Sequence, residues 1–245
     1  MSDLAGRTVV VTGAAGGIGR ELAPLLHERG ARLLLIDVNR IGVEELAGRF
    51  AKDGRVVAVA SDLGSVAACA EALDRAPAAG PLFGLVHLAG LFEPDPVGAD
   101  DHGVWDRAIA ANLTNAYDVV WEATKRFDRA AVCRVVLVSS LAYRRGAFDH
   151  VPYTAAKGGI TGLVRAFSRR LAPGVLVNGL APGIIETAMP AAIIASRGDR
   201  LLRDIPLRRF GHPREVAAVI GFLLSDASSY ITGQVINVDG GVAND

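Results

Sequence analysis

Residues 7–38, RTVVVTGAAGGIGRELAPLLHERGARLLLIDV, decide the fold of this chain. A β-branched run ends at Gly13, a glycine-rich turn follows, and the leucines after it recur at helical spacing up to Gly30. A second apolar run then ends at Asp37. The segment therefore predicts a strand, a glycine turn, a helix and a second strand, which together form a βαβ unit.

The rest of the chain repeats this alternation of strand and helix. Further strand-like runs are RVVAVASDL, LFGLVHLAG, VCRVVLVSS, GVLVNGLAPG and GQVINVDGG. Near-continuous Val, Ile and Leu runs are typical of a parallel sheet with helices on both faces. We therefore expect an α/β fold, a Rossmann-type doubly wound parallel sheet of about seven strands, in a single domain over residues 1–245.

Ligands of such sheets bind beyond the carboxyl ends of the strands, where the strand order switches. The marked residues that close or follow the predicted strands are Gly13, Asp37, Asp62, Gly90, Ser140 and Pro182.

Three further segments carry structural expectations. Residues 100–127 predict one long helix, and residues 151–171 predict another. Residues 184–210 mix apolar pairs with charges between Gly183 and Gly211 and fit neither pattern. Long segments of this kind are often lids, so we expect a substrate lid at 184–210.

Composition narrows the function classes. Twenty-six basic and twenty-six acidic residues give a formal charge of zero, which predicts no nucleic-acid partner and no anionic membrane surface. The start of the chain lacks a signal-peptide pattern, and no apolar run approaches the roughly 18 residues of a membrane span, so we expect a cytoplasmic protein with a small-molecule substrate. Cys69 and Cys133 have no metal-ligand spacing and predict buried free thiols, with no metal site.

The glycine turn TGAAGGIG at residues 12–19 predicts a dinucleotide site, because it follows a strand and opens a helix. Missing side chains allow the backbone to approach a pyrophosphate, and the helix N-terminus offers free amides. Asp37 would accept hydrogen bonds from the adenosine ribose hydroxyls and repel a 2′-phosphate by about 1–4 kcal/mol at 4 Å. We therefore expect NAD as cofactor in preference to NADP, although Arg40 would offset part of that repulsion.

A hydroxyl, a phenol and an ammonium in residues 140–157, SLAYRRGAFDHVPYTAAK, suit proton transfer. Tyr153 and Lys157 are four residues apart on a predicted helix, so their side chains project from one face. A nearby lysine charge favours the phenolate, which predicts that Lys157 lowers the pKa of Tyr153.

Taken in order, these motifs resemble the short-chain dehydrogenase/reductase family, in its shorter single-domain form, over essentially the whole chain. The matching residues are Thr12-Gly13-x-x-x-Gly17-Ile18-Gly19, Asp62-Leu63, Asn112, Ser140, Tyr153-x-x-x-Lys157, Asn178 and Pro182-Gly183. The run from Gly211 to the Asp-Gly-Gly after Val238 also resembles the usual C-terminus of the family.

The resemblance implies a role for each matching residue. Tyr153 would be the general acid/base, Lys157 would lower its pKa and hold the nicotinamide ribose, Ser140 would orient the substrate oxygen, and Asn112 would hold a proton-relay water. The implied cofactor-binding residues are Gly13, Gly16, Gly17, Ile18, Gly19, Asp37, Asp62, Leu63, Ala89, Gly90, Tyr153, Lys157, Pro182, Gly183, Ile185 and Thr187. The resemblance also implies a homo-oligomer, either a tetramer or a dimer.

One motif departs from the family. The family usually has Asn-Asn-Ala-Gly after the fourth strand, whereas this chain has His87-Leu88-Ala89-Gly90, closer to the longer sugar-nucleotide branch. The C-terminal match and the lack of room for an added substrate domain favour the shorter branch. We expect His87, at the end of an apolar strand, to be a packed histidine.

Two questions stay open at the level of the sequence. Arg144, Arg145, Phe148 and His150 either line the substrate pocket or form a solvated loop, and an arginine that faces the cleft would favour an anionic substrate. Three functions fit the motifs: an NAD-dependent dehydrogenase or reductase of secondary alcohols and ketones, a 3-oxoacyl carrier-protein reductase, and a non-catalytic nucleotide-binding module. Asp37 argues against the second, and the complete set of Ser140, Tyr153 and Lys157 against the third.

Overall fold

A computed structural model describes residues 3–50, 54–76, 80–95 and 102–243. The strands are β1 (Thr8–Thr12), β2 (Arg32–Asp37), β3 (Val56–Ala60), β4 (Leu82–His87), β5 (Cys133–Val138), β6 (Val175–Pro182) and β7 (Val235–Val238). The α-helices are α1 (Gly17–Glu28), α2 (Arg40–Gly48), α3 (Val66–Leu73), α4 (Gly103–Ile109), α5 (Asn115–Thr124), α6 (Ala142–Arg145), α7 (Val151–Leu171), α8 (Ala191–Asp204) and α9 (Pro213–Leu223).

The sheet confirms the predicted fold class. Its seven strands run in the order β3-β2-β1-β4-β5-β6-β7, and every pair is parallel. The chain builds outward from β1 in one direction and from β4 in the other, so the strand order switches between these two strands. Parallel pairing brings Thr12 beside His87 at that point, which is where ligands of this fold class bind.

Successive residues of the strands pack into two separate apolar cores, one on each face of the sheet. Val9 and Val11 belong to the core under α1 and α9, whereas Val10 belongs to the core under α3, α5 and α7. Both faces are thus buried, which explains the continuous apolar runs in the strands. Cys69 and Cys133 lie in the second core as free thiols, as predicted, and burial raises the pKa of each to about 11.

Side-chain caps fix the beginnings of two helices that flank the sheet. The Ser65 hydroxyl accepts a hydrogen bond from the Ala68 amide (3.1 Å) and caps the beginning of α3. At α9, the Glu215 carboxylate accepts from the His212 amide (2.7 Å), and Pro213 occupies the first turn.

The prediction of one long helix over residues 100–127 is wrong in part. Residues 100 and 101 lie outside the described residues, and the helix is interrupted by a π-helical turn, Ala110–Thr114, between α4 and α5. Asn112 occupies this turn and directs its amide to the backbone of Leu91, outside the helix. Widened helical turns of this kind often occur at functional sites.

The segment that fits no sequence pattern, residues 184–210, contains α8 in its middle. Its two ends are joined by hydrogen bonds from the Gly211 amide to the Ile184 carbonyl (3.0 Å) and from the Glu186 amide to the Gly211 carbonyl (2.9 Å). No helix in the described part of the chain is long and apolar enough to cross a membrane.

Two glycines of α7 provide a matched stability test. A Cβ at Gly162 would point into open space, so Gly162→Ala should raise the free energy of unfolding by about 0.5–1 kcal/mol through helix propensity. A Cβ at Gly159 would lie 2.7 Å from the Leu113 side chain, so Gly159→Ala should gain less or lose stability. Urea unfolding measures both; equal gains in the two variants would contradict the packing of α7 against the π-helical turn.

Candidate active site

The glycine turn after β1 forms a tight backbone cradle. Gly13 has φ = +64°, and a Cβ there would lie 2.6 Å from the Ala89 amide nitrogen. A Cβ at Gly17 would lie 2.4 Å from Cγ2 of Thr187, and one at Gly19 would lie 2.4 Å from the Ala14 carbonyl oxygen. Only glycine fits these three positions, because backbone or side-chain atoms occupy the space of a Cβ.

The cradle opens directly into α1. The N-cap residue, Gly16, makes no side-chain cap, so the first amides of this helix have no side-chain acceptor. An uncapped helix N-terminus behind a glycine turn is an anion-binding arrangement and fits the pyrophosphate of a dinucleotide.

Asp37 lies at the end of β2 beside this cradle. Its carboxylate accepts hydrogen bonds from the Ala15 amide (2.9 Å) and the Asn39 amide (2.8 Å), one on each oxygen. Each oxygen keeps a lone pair for a further donor. Arg40, three residues on, pairs instead with Glu44 (3.4 Å) on the exposed side of α2.

Asp62 and Leu63 follow β3 at the same end of the sheet. The Asp62 carboxylate accepts from the Gly64 amide (2.9 Å), and Leu63 is buried with φ = +53°. Positive φ is unfavourable for a branched side chain, so the surrounding packing must hold the loop in this conformation. Neither residue lines the cavity that contains Ser140 and Tyr153.

A cavity of about 430 Å³ lies beyond the carboxyl ends of β4, β5 and β6 and brings together all four predicted catalytic residues, Asn112, Ser140, Tyr153 and Lys157. Of the predicted cofactor-binding residues, those that also line it are Ile18, Gly90, Pro182, Gly183, Ile185 and Thr187. The others, Gly13, Gly16, Gly17, Gly19, Asp37, Asp62, Leu63 and Ala89, lie outside the cavity, in or beside the turns after β1 to β4.

Tyr153 and Lys157 lie on one face of α7, as predicted. The Lys157 Nζ is 5.6 Å from the centre of the Tyr153 ring and donates a hydrogen bond to the Val138 carbonyl (3.0 Å). The Ser139 hydroxyl donates to the Lys157 carbonyl (2.7 Å), which ties α7 to the end of β5. The hydroxyl of Ser140, the next residue, accepts from the Ala142 amide (3.1 Å) and acts on the pKa of the Tyr153 phenol.

The prediction that the tyrosine pKa is lowered is wrong in this structure. Burial raises the pKa of Tyr153 above its usual value, and the hydrogen bond from Ser140 opposes this only in part. Burial also lowers the pKa of Lys157 to about 8. Desolvation disfavours the charged form of both groups.

Asn112 in the π-helical turn organises the loop after β4. Its Oδ1 accepts from the Leu91 amide (3.2 Å), and its Nδ2 donates to the carbonyls of Leu91 (2.9 Å) and Ala108 (3.0 Å). A Cβ at Gly90 would lie 2.4 Å from this Oδ1 and 3.3 Å from Lys157 Nζ. Glycine at position 90 is therefore required for Asn112 and Lys157 to approach each other.

His87 is a packed histidine, as predicted. It is fully buried, and its Nδ1 lies 2.9 Å from the Thr12 hydroxyl, which itself accepts from the Ala89 amide (3.3 Å). Burial and, to a lesser degree, the charge of Lys157 lower the pKa of His87 to about 3, so the ring is neutral at pH 7. In this position histidine joins the end of β4 to the end of β1.

Some residues of the loop between Ser140 and Tyr153 line the cavity, and others do not. Arg145, Phe148 and His150 line the cavity, whereas Arg144 does not and lies 5.0 Å from the ring of Tyr143. Across the cavity mouth, Arg197 of α8 donates to Asp149 of this loop (3.1 Å).

Phe92 is a cavity residue that the sequence analysis missed. Its ring stacks on His150 (centroids 3.8 Å apart) and meets the Tyr153 ring edge-on (4.8 Å). It follows the glycine motif after β4 in a stretch with no periodic pattern, so no sequence signal identifies it. Met189, Ile193 and Leu201 of residues 184–210 also line the cavity, and the sequence identified none of them individually.

Comparison with known proteins gives a consistent family assignment. The family model described as Enoyl-(Acyl carrier protein) reductase matches residues 13–243. An acetoacetyl-CoA reductase from Synechocystis sp. is 37% identical over 242 residues, covering 96% of this chain and 95% of that protein. The 3-oxoacyl-(acyl-carrier-protein) reductase FabG of Rickettsia felis is 32% identical over 243 residues, covering 99% of both.

Among solved structures, a short-chain dehydrogenase/reductase from Brucella melitensis, described as a glucose/ribitol dehydrogenase, superposes with a TM-score of 0.94 at 36% identity and 99% coverage of both chains. The family model, the relatives and the shared seven-stranded architecture agree over nearly the whole length. The chain therefore belongs to the short-chain dehydrogenase/reductase family.

Proposed function

We propose that this protein is an NAD-dependent oxidoreductase that transfers a hydride between nicotinamide and a secondary alcohol or ketone, with Tyr153 as the general acid/base. The observation that carries the proposal is the buried Tyr153 phenol, which meets the Ser140 hydroxyl and lies above Lys157 in one cavity. A phenol, a second hydroxyl and an ammonium around one point suit proton transfer to a substrate oxygen.

The residues at this end of the sheet fit a nicotinamide dinucleotide. The glycine cradle and the start of α1 would hold the pyrophosphate, Asp37 the adenosine ribose, and Asp62 and Leu63 the adenine. Pro182, Gly183, Ile185 and Thr187, with Lys157, would hold the nicotinamide half. When bound, nicotinamide supplies or accepts the hydride.

Side chains of this protein would donate the proton and stabilise the charges that its transfer creates. In the reductive direction Tyr153 donates its proton to the substrate carbonyl oxygen, and Ser140 hydrogen-bonds the same oxygen as negative charge develops on it. Lys157 in its charged form stabilises the resulting phenolate. Asn112 has both N–H donors committed to carbonyls, so we propose that it holds a relay water only through Oδ1, which keeps a lone pair.

Asp37 is the basis for proposing NAD rather than NADP. Its carboxylate lies at the end of β2, where the 2′ position of the ribose would lie, and Arg40 pairs with Glu44 rather than with Asp37. Arg40 therefore does not offset the repulsion between Asp37 and a 2′-phosphate, as the sequence had suggested it would.

A 3-oxoacyl carrier-protein reductase is the second candidate. The similarity to FabG and to an acetoacetyl-CoA reductase favours it, since both act on thioester-linked oxoacyl groups by their names. Comparing turnover of acetoacetyl-CoA with that of simple ketones, with each cofactor, separates it from the first candidate. The third function, a non-catalytic nucleotide-binding module, predicts no turnover with any of these substrates.

Two structural features complete the proposal. We propose that residues 184–210, which include α8, close over the substrate as a lid, because Met189, Ile193 and Leu201 of this segment line the cavity. We also propose a homo-oligomer, a tetramer or a dimer, with Tyr117 and Trp105 at subunit contacts because these aromatic side chains are exposed in the single chain. A monomer mass in light scattering would contradict the oligomer.

Replacing the proposed acid/base tests the mechanism. Tyr153→Phe should lower kcat by about 10²- to 10⁴-fold, because no other proton donor replaces the phenol, and should leave NAD binding unchanged in a fluorescence titration. Tyr143→Phe is the matched control and should retain activity, because Tyr143 does not line the cavity. Unchanged turnover in Tyr153→Phe would refute the mechanism.

Replacing the carboxylate beside the glycine cradle tests the cofactor preference. Asp37→Asn should lower the ratio of kcat/KM with NAD to kcat/KM with NADP by about several-fold to several hundred-fold, because it removes the repulsion of the 2′-phosphate. The ratio cancels any general damage to the loop. Arg40→Ala should leave it near the wild-type value; a wild-type enzyme that prefers NADP would show that the role of Asp37 is misassigned.

A further inference from the structure

The side chains that line the cavity around Tyr153 are mostly apolar and therefore favour a mostly apolar substrate. Phe92, Val138, Ile184, Met189, Ile193 and Leu201 all line it. A volume of about 430 Å³ is within the range of small-molecule sites, and the nicotinamide must share it. The substrate body is therefore a short chain or a single ring rather than a large polar group.

Three charged residues of the cavity have a partner inside the protein. Lys157 is buried and donates to Val138, and Arg197 pairs with Asp149. Asp204, the last residue of α8, also lines the cavity and is exposed. Arg145 is an exposed cation of the cavity, and in the described part of the chain no carboxylate lies within ion-pair distance of its guanidinium.

Arg145 occupies a fixed position relative to the reacting groups. It is the last residue of α6, whose first residue, Ala142, donates its amide to the Ser140 hydroxyl (3.1 Å). Two residues later, the Ala147 amide donates to the Thr154 hydroxyl (3.2 Å), next to Tyr153. Hydrogen bonds beside Ser140 and beside Tyr153 thus hold the backbone on both sides of Arg145.

We infer that Arg145 binds a carboxylate of the substrate, so that the enzyme acts on secondary hydroxy acids and the corresponding oxo acids whose carboxylate is a short chain or one ring away from the reacting carbon. The inference rests on the proposed function and specifies its substrate class. Guanidinium binds carboxylate through paired, charge-assisted hydrogen bonds. Phosphate offers the same chemistry, but the phosphates of a coenzyme A thioester lie far from its reacting carbon.

The test measures kcat and KM for reduction of 4-oxocyclohexanecarboxylate and 5-oxohexanoate, each beside its methyl ester, in wild type, Arg145→Ala, Arg145→Lys and Arg144→Ala. In Arg145→Ala, KM for the acids should rise about 10- to 100-fold, while KM for the esters stays within about twofold. In Arg145→Lys, KM for the acids should lie between the values of wild type and Arg145→Ala. Arg144→Ala is the matched neighbour outside the cavity and should leave both substrate series unchanged.

Two results would overturn the inference: wild type that prefers esters or acetoacetyl-CoA to the free acids, or an equal change for acids and esters in Arg145→Ala. Calorimetric titration with the unreactive cyclohexanecarboxylate separates the inference from the proposed function. Binding that is lost in Arg145→Ala, without turnover of any ketone, would refute the proposed function and support the carboxylate site. Turnover of neutral ketones by both wild type and Arg145→Ala, without binding of cyclohexanecarboxylate, would refute the carboxylate site and support the proposed function.

Discussion

The carboxyl ends of β1 and β4 lie so close together that position 13 has room for hydrogen only, because a Cβ there would lie 2.6 Å from the Ala89 nitrogen. This approach depends on the parallel pairing of Thr12 with His87 and on the buried contact between their side chains. From it follow the glycine cradle on one side and the position of Gly90 on the other. Gly90 in turn allows Asn112 and Lys157 to converge on the cavity.

Burial of Tyr153 and Lys157 has a chemical consequence. Desolvation raises the pKa of Tyr153 and lowers the pKa of Lys157 to about 8, so both groups are pushed toward their neutral forms. The phenol is therefore protonated at neutral pH, which is the form that donates a proton to a carbonyl. Because burial lowers the pKa of Lys157 only to about 8, its ammonium form predominates at pH 7.

Much of the fold follows from sequence patterns of short range. Apolar runs predict all seven strands, and glycine turns and caps such as Ser65 predict where the helices begin. An interruption within a long helix does not follow from such patterns. The π-helical turn at Ala110–Thr114 depends on hydrogen bonds between Asn112 and the backbone of Leu91, twenty-one residues away. Helical periodicity carries no signal for such a contact, and so residues 100–127 were predicted to be one helix.

The sequence by itself determined the fold class, the glycine cradle and the pairing of Tyr153 with Lys157, because each depends on residues within one turn or one βαβ unit. Tertiary structure alone decided the stacking of Phe92 on His150 beside Tyr153, the position of Arg145 in the cavity with Arg144 outside it, and the pairing of Arg197 with Asp149. These contacts join loops and α8 residues that are distant in the chain. Their geometry is set by how the helices pack on the sheet, and burial, rather than residue type, sets the pKa values of the catalytic pair.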